Sequence, residues 1–139
     1  MEFKILGPLE VHAAAGPVPL GGAKQRAVLA MLLLRPNHVL STDELIEGLW
    51  GEHPPETAPK ALQGHVSALR KLLEPKRASG GRDRLLLTRP PGYQIQLDPE
   101  ELDLTLFERL RAEASAALAA GDPDAAGVTL GKALALWRG

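Results

Sequence analysis

The stretch Ala58-Pro59-Lys60-Ala61-Leu62-Gln63-Gly64-His65-Val66-Ser67-Ala68-Leu69-Arg70-Lys71-Leu72-Leu73 decides how the chain is read. It is built of helix formers, and Pro59 stands in a first turn, where the missing amide costs no hydrogen bond. At 100° per residue from Leu62, the side chains of Val66, Leu69 and Leu73 return to within about 40° of one direction and form a buried stripe. Lys60, Gly64, Ser67 and Lys71 occupy the opposite side, with Gln63, Ala68 and Arg70 beside them. A helix that enters the major groove of DNA needs such a division: an apolar face for its own domain, and an opposite face of donors and small residues. Lys60, Arg70 and Lys71 supply donors for phosphates or purine acceptors, Gln63 matches adenine, and Gly64, Ser67 and Ala68 leave room. An ordinary solvated face is the alternative reading. His65, on the flank of the stripe, suits partial burial as well as a contact.

Downstream lies a basic loop from Pro75 to Arg84, then two alternating runs, Leu85 to Thr88 and Tyr93 to Leu97, joined by Arg89-Pro90-Pro91-Gly92. This is a β-hairpin with a stiff, basic tip, and Arg89 is the candidate for a minor-groove arginine. Lys76, Arg77, Arg82 and Arg84 in the loop supply salt-dependent attraction without sequence choice. Upstream, Ser41-Thr42-Asp43-Glu44 is a capping box, so a helix starts at Thr42 and stops at Gly51. Leu45, Ile46, Leu49 and Trp50 share one face of it, and Trp50 serves either the core or a phosphate oxygen through its indole N–H. Before that, Ala23 to Leu34 reads as the central core helix, ended by Pro36. Short β-capable runs at Glu2–Leu6, Leu9–His12 and Pro17–Leu20 form an antiparallel meander.

Past Leu97, Asp98-Pro99-Glu100-Glu101 marks a boundary, after which everything is helical. Asp103 is placed to cap a helix carrying Leu104, Phe107, Leu110, Ala114 and Leu118. Ala120-Gly121-Asp122-Pro123 breaks it. A second helix, running to about Arg138, carries Ala126, Leu130, Ala133, Leu134 and Trp137. Two such helices make one unit of a TPR-like helical repeat, which is expected to be cut short here. The fold class is α+β: a winged helix-turn-helix with an N-terminal antiparallel sheet and a C-terminal hairpin wing over residues 1–98, then an all-α segment over 99–139.

Composition narrows the chemistry. The chain has 139 residues, no cysteine and four scattered histidines, which excludes disulfides, thiol nucleophiles and a thiolate zinc site. Metal ligands, cofactors and catalytic residues are therefore not expected, nor is a membrane segment. The formal net charge of −1 conceals segregation. Residues 54–92 carry eight cations against three carboxylates, and residues 98–124 carry eight carboxylates against two arginines. The segregation suits two units facing different partners and, equally, two solvated surfaces with no partner.

Four ordered motifs carry a family resemblance: Ile5-Leu6-Gly7-Pro8-Leu9; Leu45 to Gly51 followed by Pro54-Pro55; Val66 to Leu73; and Thr88-Arg89-Pro90-Pro91-Gly92-Tyr93. With them the chain resembles the Streptomyces antibiotic regulatory protein family, while Asp103-Leu104 to Phe107 and Leu136-Trp137-Arg138-Gly139 resemble the opening of its bacterial transcriptional activator domain. The resemblance implies an OmpR-type winged helix that binds direct repeats in double-stranded DNA as a head-to-tail dimer. It further implies an activator that recruits RNA polymerase and its sigma factor, usually at secondary-metabolite gene clusters, in the cytoplasm on the nucleoid. Carried over by position, the groove-facing residues are Lys60, Gln63, Gly64, His65, Ser67 and Arg70, with Arg89 in the wing. Phosphate contacts fall to Trp50, Thr57, Lys71, Lys76 and Arg77. Ala68 stands where related proteins often have a larger polar residue, so no base contact is expected there. That activator domain normally continues well past the length present here, so its core is expected to be incomplete.

Three other readings are disfavoured. Catalysis would have to use the carboxylates of Asp98 to Asp103, which lie in a boundary segment without histidine, metal signature or phosphate loop. A winged helix that binds only protein would not need cations on both the third helix and the hairpin tip. The effector half of a response regulator is disfavoured because the winged helix is expected to begin at once, with no receiver domain ahead of it.

Overall fold

The computed structural model describes residues 1–74 and 85–139. They form two compact units, Pro17–Leu97 and a second made of Met1–Gly16 with Asp98–Gly139.

In the first unit, α1 (Ala23–Leu34) buries Val28, Leu29, Leu32 and Leu33 completely and stops at Arg35, ahead of Pro36. A two-residue strand, β4 (Leu40–Ser41), leads straight into α2 (Thr42–Trp50). The capping box is formed: Glu44 N–H donates to Ser41 Oγ at 3.0 Å, and Ser41 N–H donates to Glu44 Oε2 at 3.1 Å. Gly51, at φ +72°, ends α2 where an L side chain would be strained. α3 (Ala58–Leu73) follows, with Leu62, Val66, Leu69 and Leu73 buried as its stripe. β5 (Leu86–Arg89) and β6 (Gly92–Ile95) pair antiparallel, with Thr88 opposite Tyr93 and Arg89 opposite Gly92. β4 joins the other side of β6, giving the order β4-β6-β5. Leu86 and Ile95 close the core from the hairpin, both fully buried. Three helices and a hairpin in this order are a winged helix-turn-helix, as expected.

In the second unit, β1 (Glu2–Lys4) pairs antiparallel with β2 (Glu10–Ala13), Phe3 opposite Val11. The third strand, β3 (Gly16–Pro17), is shorter than the expected run to Leu20, because Pro17 and Pro19 have no amide for a ladder. A 3₁₀ turn (Pro99–Glu101) precedes α4 (Asp103–Ala119) and α5 (Pro123–Leu134). Ala114, Ala126 and Ala133 are buried, whereas Leu118, Leu130, Leu134 and Trp137 are exposed.

Two sequence expectations change in this unit. Met1–Gly16 cluster with Asp98–Gly139 in one compact unit. Contacts distant in sequence join these segments: Phe3 makes a parallel bridge to Leu102, and Asp103 Oδ1 and Oδ2 accept the Ile5 and Leu6 N–H groups at 2.9 and 3.0 Å. Asp103 is therefore not a cap, and Leu102 is the N-cap residue, without a side-chain bond. Finally, α5 ends at Leu134 instead of near Arg138. Arg138 leaves the helix to donate its N–H to Leu6 O at 2.9 Å and to pair with Glu10, while Trp137 meets Phe107 edge-on at 5.7 Å.

Among the described residues no helix is long and apolar enough to cross a membrane, and no cluster of His, Asp or Glu is arranged to hold a metal.

Candidate nucleic-acid interface

α3 carries no carboxylate between Ala58 and Leu73. Lys60, Gln63, Gly64, Ser67 and Lys71 are all exposed on it, on the side away from the buried stripe. A Cβ added at Gly64 would meet nothing within 4 Å, so the helix surface there is open to close approach. His65 is half-buried on the flank.

Arg70 departs from the expected groove-facing position. It is only 9% exposed, although it lies beside Lys71 in sequence. Counting 100° per residue, it sits about 80° from Leu62, on the flank of the stripe that the hairpin covers. Its Nε donates to Leu86 O at 3.1 Å and its Nη2 to Thr88 Oγ1 at 2.6 Å, with the Tyr93 ring centroid 5.9 Å from the guanidinium carbon. One turn on, Glu74 Oε1 accepts the Leu85 N–H at 2.7 Å. The last turns of α3 therefore hold β5 directly.

The wing tip is held from a second side. Thr42, at the start of α2, donates its N–H and its hydroxyl to Pro91 O, each at 3.1 Å. Gly92 passes so close to β4 that a Cβ there would collide with the Leu40 carbonyl oxygen and lie 2.8 Å from Ser41 Cα. Arg89, Pro90 and Pro91 are exposed at the end of this anchored turn.

Trp50 is half-buried, and Lys24 Nζ lies 5.0 Å from its ring centroid while donating to Leu49 O at 3.1 Å. That places one ammonium group at the α2 C-terminus, where it meets both the ring face and the negative end of the helix dipole. Thr57 is exposed just ahead of α3. Lys76 and Arg77 lie outside the described residues. The sequence does not mark Lys24, nor the contacts that Thr42, Thr88 and Tyr93 make at this site. Their roles depend on partners in other elements, which no local pattern in the sequence encodes.

Residues 17–95 match the family of transcriptional regulatory protein C-terminal domains, and residues 102–139 match the bacterial transcriptional activator domain. The whole chain is 40% identical over 140 residues to the transcriptional regulatory protein EmbR of Mycobacterium tuberculosis, covering 35% of that protein. It is 38% identical over 139 residues to the regulatory protein AfsR of Streptomyces griseus, of which it covers 13%. Against the transcriptional regulator RedD of Streptomyces coelicolor it is 34% identical over 143 residues, covering 39%. The solved structure of Mycobacterium tuberculosis EmbR in complex with a low-affinity phosphopeptide superposes with a TM-score of 0.89 at 40% identity, over 99% of this chain and 36% of that one. The chain thus spans about a third of the length of the EmbR relatives. With an OmpR-type winged helix followed by bacterial transcriptional activator sequence, it belongs to the Streptomyces antibiotic regulatory protein family of transcriptional regulators.

Proposed function

We propose that this chain is the DNA-reading part of a transcriptional activator, with α3 in the major groove and the β5–β6 wing on the adjoining minor groove. The observation that carries this reading is the exposed, carboxylate-free face of α3, where Lys60, Gln63, Gly64, Ser67 and Lys71 stand together. Gln63 reads a base, Lys60 and Lys71 bind phosphate, and Gly64 and Ser67 let the helix backbone approach the base edges. His65 edges the same groove, and Trp50, Thr57, Lys76 and Arg77 add phosphate contacts. Arg89 enters the minor groove from the wing tip.

Two protomers bind head to tail on direct repeats about one helical turn apart, because a heterologous arrangement places both α3 helices on the same face of the duplex. The bound pair recruits RNA polymerase with its sigma factor and switches on genes of secondary metabolism, acting on the nucleoid in the cytoplasm. The test is a mobility-shift titration of duplexes carrying such repeats. Binding that survives competitor DNA and disappears when the repeats are scrambled supports the reading. Equal binding to repeat and scrambled duplex defeats it.

A further inference from the structure

The candidate interface is made by two separate pieces of chain, and something must fix the distance between them. Arg70 does so by geometry. It grows from the same turn of α3 that presents Ser67 and Lys71, yet its guanidinium is buried and donates to both Leu86 O and Thr88 Oγ1. Thr88 is the residue before Arg89, and its cross-strand partner Tyr93 is the residue whose ring lies beside the guanidinium. A planar, forked donor set can meet two acceptors in fixed directions at once, which a lysine ammonium on a flexible stem does not reproduce.

We infer that Arg70 is a positioning residue, a strut that sets Arg89 at a fixed offset from the reading face of α3, so that helix and wing engage adjoining grooves together. The inference rests on the DNA-binding reading proposed above. It makes the contribution of Arg89 conditional on Arg70. A merely stabilising role for Arg70 would weaken every DNA contact alike.

The experiment is a double-mutant cycle on the full chain with a repeat-bearing duplex, read as dissociation constants. Arg89→Ala is expected to weaken the parent about tenfold, and the Arg70→Met background by less than about twofold. Gln63→Ala is expected to cost the same factor in both backgrounds. If Arg89→Ala costs the same factor in both backgrounds, or if the Gln63→Ala effect vanishes along with that of Arg89→Ala, the strut is overturned while DNA binding stands. If Arg89→Ala has no effect on the parent, the wing reading itself fails and takes the strut with it. Should Arg70→Met not fold, Thr88→Val gives the same comparison at an exposed position, removing one acceptor of the fork. There the Arg89→Ala cost is expected to fall to about threefold, and an undiminished cost overturns the inference.

Discussion

The carbonyl oxygen of Pro91 at the wing tip receives two hydrogen bonds from Thr42, one from its backbone N–H and one from its hydroxyl, both at 3.1 Å. The first turn of a helix leaves amide groups without intrahelical partners, and this one is met by a residue nearly fifty positions later in the chain. Thr42→Val keeps the shape and the backbone bond and removes the hydroxyl donor. Because the site is exposed, the expected loss is about 0.5–1 kcal/mol, seen as a lower urea midpoint at unchanged slope.

Gly92 is the tighter constraint on the same turn. A methyl group there has no space between β6 and β4, and the obstructing atoms belong to the Leu40 and Ser41 backbone, which has no side-chain freedom with which to yield. Gly92→Ala is expected to destabilise the fold by at least about 2 kcal/mol and to disturb the amide resonances of Leu40 and Ser41 first. Gly64→Ala is the matched control: it adds the same methyl group into open space and is expected to leave stability unchanged or slightly raised.

Asp103 joins the two ends of the second unit. Its two oxygens accept the Ile5 and Leu6 N–H groups, and Arg138 Nη2 lies 3.8 Å from Oδ2. Asp103→Ala strands two amides that are buried or partly buried, so a loss of about 2–4 kcal/mol is expected in chemical denaturation. Asp103→Asn retains one acceptor and should fall between that variant and the parent.

Glu10 gives the same unit a pH dependence. The hydrogen bond from His12 and the neighbouring Arg138 guanidinium hold its carboxyl below the ordinary glutamate value. A carboxyl whose folded pKa lies below its unfolded one contributes stability above the unfolded value and loses it as pH falls through the folded one. The parent is therefore expected to be more stable than Glu10→Gln at neutral pH, with the difference shrinking once pH drops below about 4.5. Urea denaturation of both proteins from neutral pH to about pH 3 measures this.

What could be read from the sequence was what is decided locally. The bounds of α1, the start of α2 at Thr42 and the span of α3 follow from Pro36, the Ser41–Glu44 box, Gly51 and Pro59, each acting within one turn of itself. The exposed face of α3 followed from helical spacing alone. Asp103 and Arg70 were misread for the same reason as each other. Both are polar residues at positions that suit a local role, a helix cap and a groove contact, and both are claimed by partners far along the chain. The Asp103 bonds span 97 and 98 residues, and those of Arg70 span 16 and 18. No periodicity encodes such pairs. The exposed Leu118, Leu130 and Leu134 show the same limit in reverse, since helical spacing identifies an apolar face without identifying what covers it.

The most direct test of the central claim, that the open face of α3 reads a duplex, is a set of dissociation constants for repeat-bearing and scrambled DNA measured over a range of salt. For Lys60→Ala with Lys71→Ala, the slope of log affinity against log salt is expected to fall by about two, with preference for the repeat retained. For Gln63→Ala, the slope is expected to stay at the parent value while discrimination drops by about 1–3 kcal/mol. Variants that match the parent in affinity, slope and preference alike would contradict the account and move the reading surface elsewhere on the protein.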